Sequence, residues 1–140
     1  TMVTDDYHRG DREFKLLYNC SPEEVYLVNG FINFNPTLMQ GLLIMRYRFP
    51  ANYEIAPHWH SVDEYITVLS GEIRMGMGQK MDRAKIGSLR ALGPGSHARM
   101  PAKQPHYLIA TKGAVVERTA VGPFATVYVN PQDDPARKTR

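Results

Sequence analysis

Proline punctuates this chain so regularly that its middle and end can hold only short elements. Pro50, Pro57, Pro94, Pro101, Pro105, Pro123 and Pro131 exclude a long helix there, because each removes an amide donor and clashes with the preceding turn. Between the breaks lie runs rich in Val, Ile, Tyr and Phe, with turn residues recurring about every 8–12 positions, the spacing of a sandwich or barrel. The expected strands are Phe14–Tyr18, Tyr26–Phe34, Leu42–Phe49, Tyr53–Ala56, Glu64–Ser70, Glu72–Met77, Ser88–Leu92, Ala98–Met100, Tyr107–Thr111, Val115–Ala120 and Ala125–Val129. Ser70-Gly71 is expected to close a tight hairpin. Helix is expected only as one turn at Ser21-Pro22-Glu23-Glu24, with Ser21 as cap and Pro22 in the first position. The polar segment Gln79–Gly87 reads as a loop or a short helix. With no internal repeat, the chain is expected to form one barrel over residues 14–130, between a polar arm at 1–13 and a polar tail at 131–140.

The 140 residues suffice for one hydrophobic core, and 43% apolar against 22% charged residues argues against wholesale disorder. The 17 Lys and Arg outnumber the 14 Asp and Glu only slightly, and part of the excess is Arg137, Lys138 and Arg140 in the tail. These basic residues are scattered rather than aligned with aromatics, so no nucleic-acid partner is expected. No run approaches the ~20 apolar residues of a membrane span, and the N-terminus, with Asp5, Asp6 and Asp11, is too polar for a signal peptide. Cys20 is the one cysteine. It excludes an intramolecular disulfide and a cysteine-based zinc cluster, and it fits a reducing, cytoplasmic compartment.

The chemistry concentrates in Pro57-His58-Trp59-His60-Ser61-Val62-Asp63-Glu64. In an extended strand, positions i and i+2 face the same side about 7 Å apart, so His58 and His60 point together while Trp59 points away. Glu64 follows after a short turn and can return a carboxylate to that side. His106 ends the proline-bounded turn Pro101-Ala102-Lys103-Gln104-Pro105, which would feed it in from a neighbouring strand. A His-x-His pair alone is usually two unremarkable histidines; the added Glu and the later Pro-bounded His make it a candidate metal site.

These residues resemble the cupin family. The first cupin motif, His-x-His, three or four residues, Glu, six residues, then Gly, is matched by His58, His60, Glu64 and Gly71, with Asn52 in place of the leading glycine. Asn tolerates the positive φ that such a turn requires. The second motif is matched by Gly95, Pro101 and His106, with Lys103 in place of its second glycine. The resemblance implies an all-β double-stranded β-helix, or jelly-roll, with one divalent transition metal (Fe, Mn, Ni, Co or Zn) held inside by His58, His60, Glu64 and His106. It also implies a homodimer. Two coordination positions would remain for a small oxygenated substrate such as a β-diketone, 2-oxo acid or enediol. An oxidoreductase of dioxygenase type is the leading expectation; the alternatives are a redox-neutral isomerase, decarboxylase or hydrolase, and a non-catalytic metal or small-ligand sensor.

Catalytic groups are less legible. Glu64 could leave the metal to accept a proton. His97, nine residues before His106, could hydrogen-bond a metal ligand or act as a base. Arg46 would clamp a carboxylate if its strand face lined the barrel, but pattern alone favours Met45, Tyr47 and Phe49 as the inward set and Arg46 outside. Phe124, Thr126 and Tyr128 alternate with Ala125 and Val127, and one set should wall the pocket. Trp59 is assigned to packing or a dimer interface.

Overall fold

The computed structural model describes residues 4–9, 12–17, 26–27 and 42–134. Cys20, the expected turn at Ser21–Glu24, the remainder of the strand expected from Tyr26 and the tail from residue 135 lie outside them. The strands are β1 (Thr4–Arg9), β2 (Arg12–Leu17), β3 (Tyr26–Leu27), β4 (Leu42–Phe49), β5 (Tyr53–His60) and β6 (Glu64–Gly71). They continue as β7 (Ile73–Met77), β8 (Ala91–Leu92), β9 (His97–Met100), β10 (His106–Ala110), β11 (Ala114–Val121) and β12 (Thr126–Tyr128). Two short 3-10 turns, Arg83–Ser88 and Pro131–Asp133, are the helical elements among the described residues. No described helix is long and apolar enough to cross a membrane.

The strands form two five-stranded sheets, ordered β12-β5-β10-β7-β8 and β3-β4-β11-β6-β9, beside a β1-β2 pair. Pairing is antiparallel except between β3 and β4. Period-two alternation decides which residues meet between the sheets. Met45, Tyr47 and Phe49 of β4, Ile66 and Val68 of β6, and Val116 of β11 bury their side chains in one core with Ile73, Leu108 and Ala110 of the other sheet. Burying a Leu, Ile, Met or Phe side chain contributes about 1.5–3 kcal/mol, so this core holds the two sheets together.

The expected hairpin at Ser70-Gly71 does not form. β6 and β7 belong to different sheets, each pairing instead with strands far away in sequence. Gly71 makes the crossing: its φ is +74°, and a Cβ there would lie 2.2 Å from the Gly113 carbonyl oxygen. Only glycine combines that left-handed backbone with so close an approach. The strand expected over Ser88–Leu92 is reduced to Ala91–Leu92, because the chain up to Ser88 is a 3-10 turn capped by the Asp82 carboxylate. That segment is held on the sheet by Arg74, which donates to the carbonyls of Gly87 and Leu89.

Candidate metal centre

β5 and β10 are hydrogen-bonded neighbours, and their register sets His106 opposite His58. His60 lies two residues along the same face of β5, so three imidazoles converge between the sheets. Each is at most 2% exposed, and their ligand nitrogens all lie within 4.8 Å of one another. The turn that delivers His106 is fastened at several points. Lys103 donates its amide to the His60 carbonyl (2.8 Å), Ala102 donates to Asp63 Oδ1 (2.8 Å), and Gly78 donates to the Pro105 carbonyl (2.8 Å). Arg99 clamps the other Asp63 oxygen, Oδ2, at 2.6 Å. Lys103 adopts φ +61° and Asn52 φ +60°, the two sites where the resembled motifs carry glycine.

Backbone carbonyls fix the tautomer of all three rings. His58 Nδ1 lies 2.7 Å from the Ala56 carbonyl, His106 Nδ1 3.0 Å from that of Gln104, and His60 Nδ1 3.3 Å from that of Ala125. A carbonyl oxygen only accepts, so each Nδ1 carries the proton and each Nε2 offers its lone pair inward. Thr126 Oγ1, 2.8 Å from His60 Nδ1, adds a second contact. The rings are also walled: Phe124 stacks on His60 at 4.5 Å between centroids, and Tyr128 packs on His58 at 5.6 Å. Burial holds the His58 imidazolium well below its usual range, with His106 and His60 adding repulsion, and burial likewise lowers His106. Neutral imidazoles with inward lone pairs are what a divalent cation requires.

Glu64 opens β6 and projects into the same space, 1% exposed. Its Oε2 lies 2.8 Å from His60 Nε2 and its Oε1 3.9 Å from His106 Nε2. The close contacts are not aligned as hydrogen bonds: His60 Nε2, His106 Nε2 and Glu64 Oε2 are all buried without a hydrogen-bond partner. Imidazole lone pairs facing a carboxylate in a buried space would be expensive in a finished polar network. They fit a cage for a cation.

Arg118 went unnoticed in the sequence and is the fifth member of the group. It is 5% exposed, and its Nε lies 2.7 Å from Glu64 Oε2. Its Nη1 donates to the Tyr47 hydroxyl at 2.9 Å, and its guanidinium lies 4.8 Å from the Tyr47 ring centroid and 5.1 Å from that of Phe124. Burial alone would raise the Glu64 carboxyl, but the Arg118 guanidinium beside it outweighs burial and holds Glu64 far below the usual carboxylate range. The signal was present: Val116, Arg118 and Ala120 share one face of β11, so an inward arginine follows from alternation.

Arg46 and His97 sit elsewhere. Arg46 lies on the outer face of β4, where its Nε donates to Glu117 across the strand pair at 2.7 Å. His97 is exposed on β9, its Nδ1 3.0 Å from Thr67 Oγ1 and its ring beside Tyr65. Neither enters the space around the three imidazoles. A narrow cavity, with room for about one water, adjoins His58, His106, Glu64 and Arg118. The rest of its wall is Tyr47 and apolar side chains.

Comparison with known proteins agrees with the two-sheet fold. The cupin domain family matches residues 45–122, which includes every residue of the cluster except Phe124, Ala125, Thr126 and Tyr128 around it. None of the curated proteins matches. Among solved structures, a conserved protein of unknown function from Streptococcus pyogenes aligns with TM-score 0.53 at 23% identity, covering 74% of this chain and 84% of the other. A DMSP lyase from Ruegeria pomeroyi aligns with TM-score 0.55 at 24% identity, over 66% of this chain and 45% of that one. A salicylate 1,2-dioxygenase from Pseudaminobacter salicylatoxidans aligns with TM-score 0.52 at 19% identity, over 62% and 25% respectively. At these identities the likeness is one of fold.

Proposed function

Since the chain belongs to the cupin family, we propose that it is a metal-dependent enzyme acting on a small oxygenated substrate, with an oxygen-dependent, dioxygenase-type reaction as the leading form. One observation carries the reading: three buried imidazoles, each with Nδ1 tied to a carbonyl, turn their Nε2 lone pairs on one point beside the buried Glu64 carboxylate. His58, His60 and His106 would hold the ion, with Glu64 as the fourth ligand. When bound, a divalent transition metal supplies Lewis-acid activation of a chelating oxygen donor and, for iron, access to oxygen chemistry.

The chain's own residues do the rest. The Ala56, Gln104 and Ala125 carbonyls orient the rings, which raises their basicity as ligands. Arg118 keeps Glu64 ionised, which suits it to holding a cation and makes it a weak proton acceptor. The apolar wall excludes water around the substrate. Of the distant structural neighbours, one is named a dioxygenase and another a lyase, so the fold supports more than one chemistry. A redox-neutral reaction is the alternative, and a non-catalytic metal or ligand sensor is the second. The protein reconstituted with Fe(II) should consume oxygen with a member of a panel of β-diketones and catechol-like enolates, and the zinc form should not. Turnover of the same panel by the zinc form without oxygen would replace the leading reading with the redox-neutral one.

A further inference from the structure

The geometry points to Arg118 as a redox-tuning residue: its buried charge, acting through Glu64, raises the reduction potential of an iron ion at the three imidazoles and keeps that ion ferrous in the presence of oxygen. This rests on the metal-dependent reading above and adds to it the oxidation state in which the site holds iron. Charge decides it. The three imidazoles are neutral ligands, each with its Nδ1 proton held by a carbonyl. Among the described residues, Glu64 is the sole acidic side chain lining the adjoining cavity and Arg118 the sole arginine or lysine. Tyr47 adds no anion, since burial pushes its phenol up to about 12. The protein groups around the ion therefore sum to no charge. A ferrous site carries two net positive charges and a ferric site three.

The third charge is disfavoured by position as well as by number. Arg118 is 5% exposed and Glu64 1%, so solvent and salt screen them little. Arg118 Nε lies 2.7 Å from Glu64 Oε2, the same oxygen that lies 2.8 Å from His60 Nε2. The guanidinium thus stands directly behind the carboxylate that would ligate the ion, and weakens a donor that a ferric ion needs more than a ferrous one. It cannot retreat. Its Nη1 donates to the Tyr47 hydroxyl at 2.9 Å, and it lies 4.8 Å from the Tyr47 ring centroid and 5.1 Å from that of Phe124, which itself stacks on His60. Nor can it shed its charge, because a guanidinium stays protonated when buried. Transfer of one electron from the ferrous ion to dioxygen, which yields ferric ion and superoxide, is opposed accordingly.

The test uses the full chain loaded anaerobically with one equivalent of Fe(II) and no substrate. The midpoint potential is read by mediated titration, with ferric ion counted by electron paramagnetic resonance. Arg118→Gln keeps a donor for Glu64 but removes the charge. It should shift the ferrous–ferric balance roughly a hundredfold towards ferric, a fall in potential of about 120 mV at about 59 mV per tenfold. Oxidation of its ferrous form in air should quicken in parallel. Arg118→Lys keeps the charge and should stay within about threefold of the wild-type balance. A purely structural role would move the Gln and Lys variants alike. That result, or equal potentials in the wild type and Arg118→Gln, would overturn the inference and leave the metal site standing. Failure of the wild type to take up iron would overturn both. If Arg118→Gln does not fold, the wild type decides: its iron should stay ferrous for hours in air-saturated buffer, and conversion to ferric within minutes would overturn the inference.

Discussion

Replacing Arg118 by Met strands a buried carboxylate. Glu64 is 1% exposed, and its Oε2 lies 2.7 Å from Arg118 Nε. At that separation and an effective dielectric near 20 the attraction is about 6 kcal/mol before desolvation, and the desolvation of both groups offsets most of it. The net value of the pair is therefore small, but deleting one partner is not equivalent to deleting both. An uncompensated buried charge typically costs about 3–5 kcal/mol, and loss of the donor to Tyr47 works in the same direction. Urea unfolding of metal-free protein, followed by circular dichroism, should show Arg118→Met destabilised by about that amount. One equivalent of Zn(II) should recover at least about half of the loss, because a second cation then faces Glu64. A metal-free loss below about 1 kcal/mol would refute the buried-pair argument. A loss that zinc leaves untouched would show that Glu64 does not face the ion.

Three further expectations test the surrounding structure. Gly71→Ala should destabilise the fold by more than about 2 kcal/mol, since the substitution must sustain φ +74° and a Cβ 2.2 Å from the Gly113 carbonyl oxygen; a loss under about 0.5 kcal/mol in thermal or urea unfolding would contradict the crossing described here. Lys103→Gly should leave metal uptake intact and raise stability by up to about 1 kcal/mol, because it relieves a lysine held at φ +61°; a clear destabilisation would show that the Lys103 side chain contributes. Burial pushes the Tyr47 phenol up from 10 to about 12, so its contribution to stability is complete below pH 10 and is lost as pH rises from 10 towards 12. Across that window the wild type should lose about 2–3 kcal/mol more than Tyr47→Phe, and parallel pH profiles of the two would contradict it.

How much of this was legible in the sequence depended on whether one strand or several carried the information. His58 and His60 were readable because alternation within β5 alone brings them to one side, and His106 because a proline-bounded turn announces a new strand. The inward set Met45, Tyr47 and Phe49 followed from the same alternation, which also left Arg46 outside. The carbonyls of Ala56, Gln104 and Ala125 that orient the rings were not readable, since they are backbone groups brought near by the register of different strands. The hairpin expected at Ser70-Gly71 failed for a related reason. A glycine at positive φ suits a tight turn within one sheet or a passage between two, and only the close approach of Gly113, more than 40 residues away, distinguishes them. Arg118 was hidden by convention rather than physics: an arginine alternating with Val116 and Ala120 looks like an interruption until Glu64 is seen facing it.

The central claim is that His58, His60 and His106 hold one divalent ion together with Glu64. It is tested most directly by counting metal in protein purified without a nickel column, using mass spectrometry, beside His106→Ala. Near one equivalent in the wild type, lost in a variant that remains folded, is the expected result. A wild type that carries no metal and takes none up when Fe, Mn, Co, Ni or Zn is supplied would contradict the account and leave the three imidazoles as packing within the barrel.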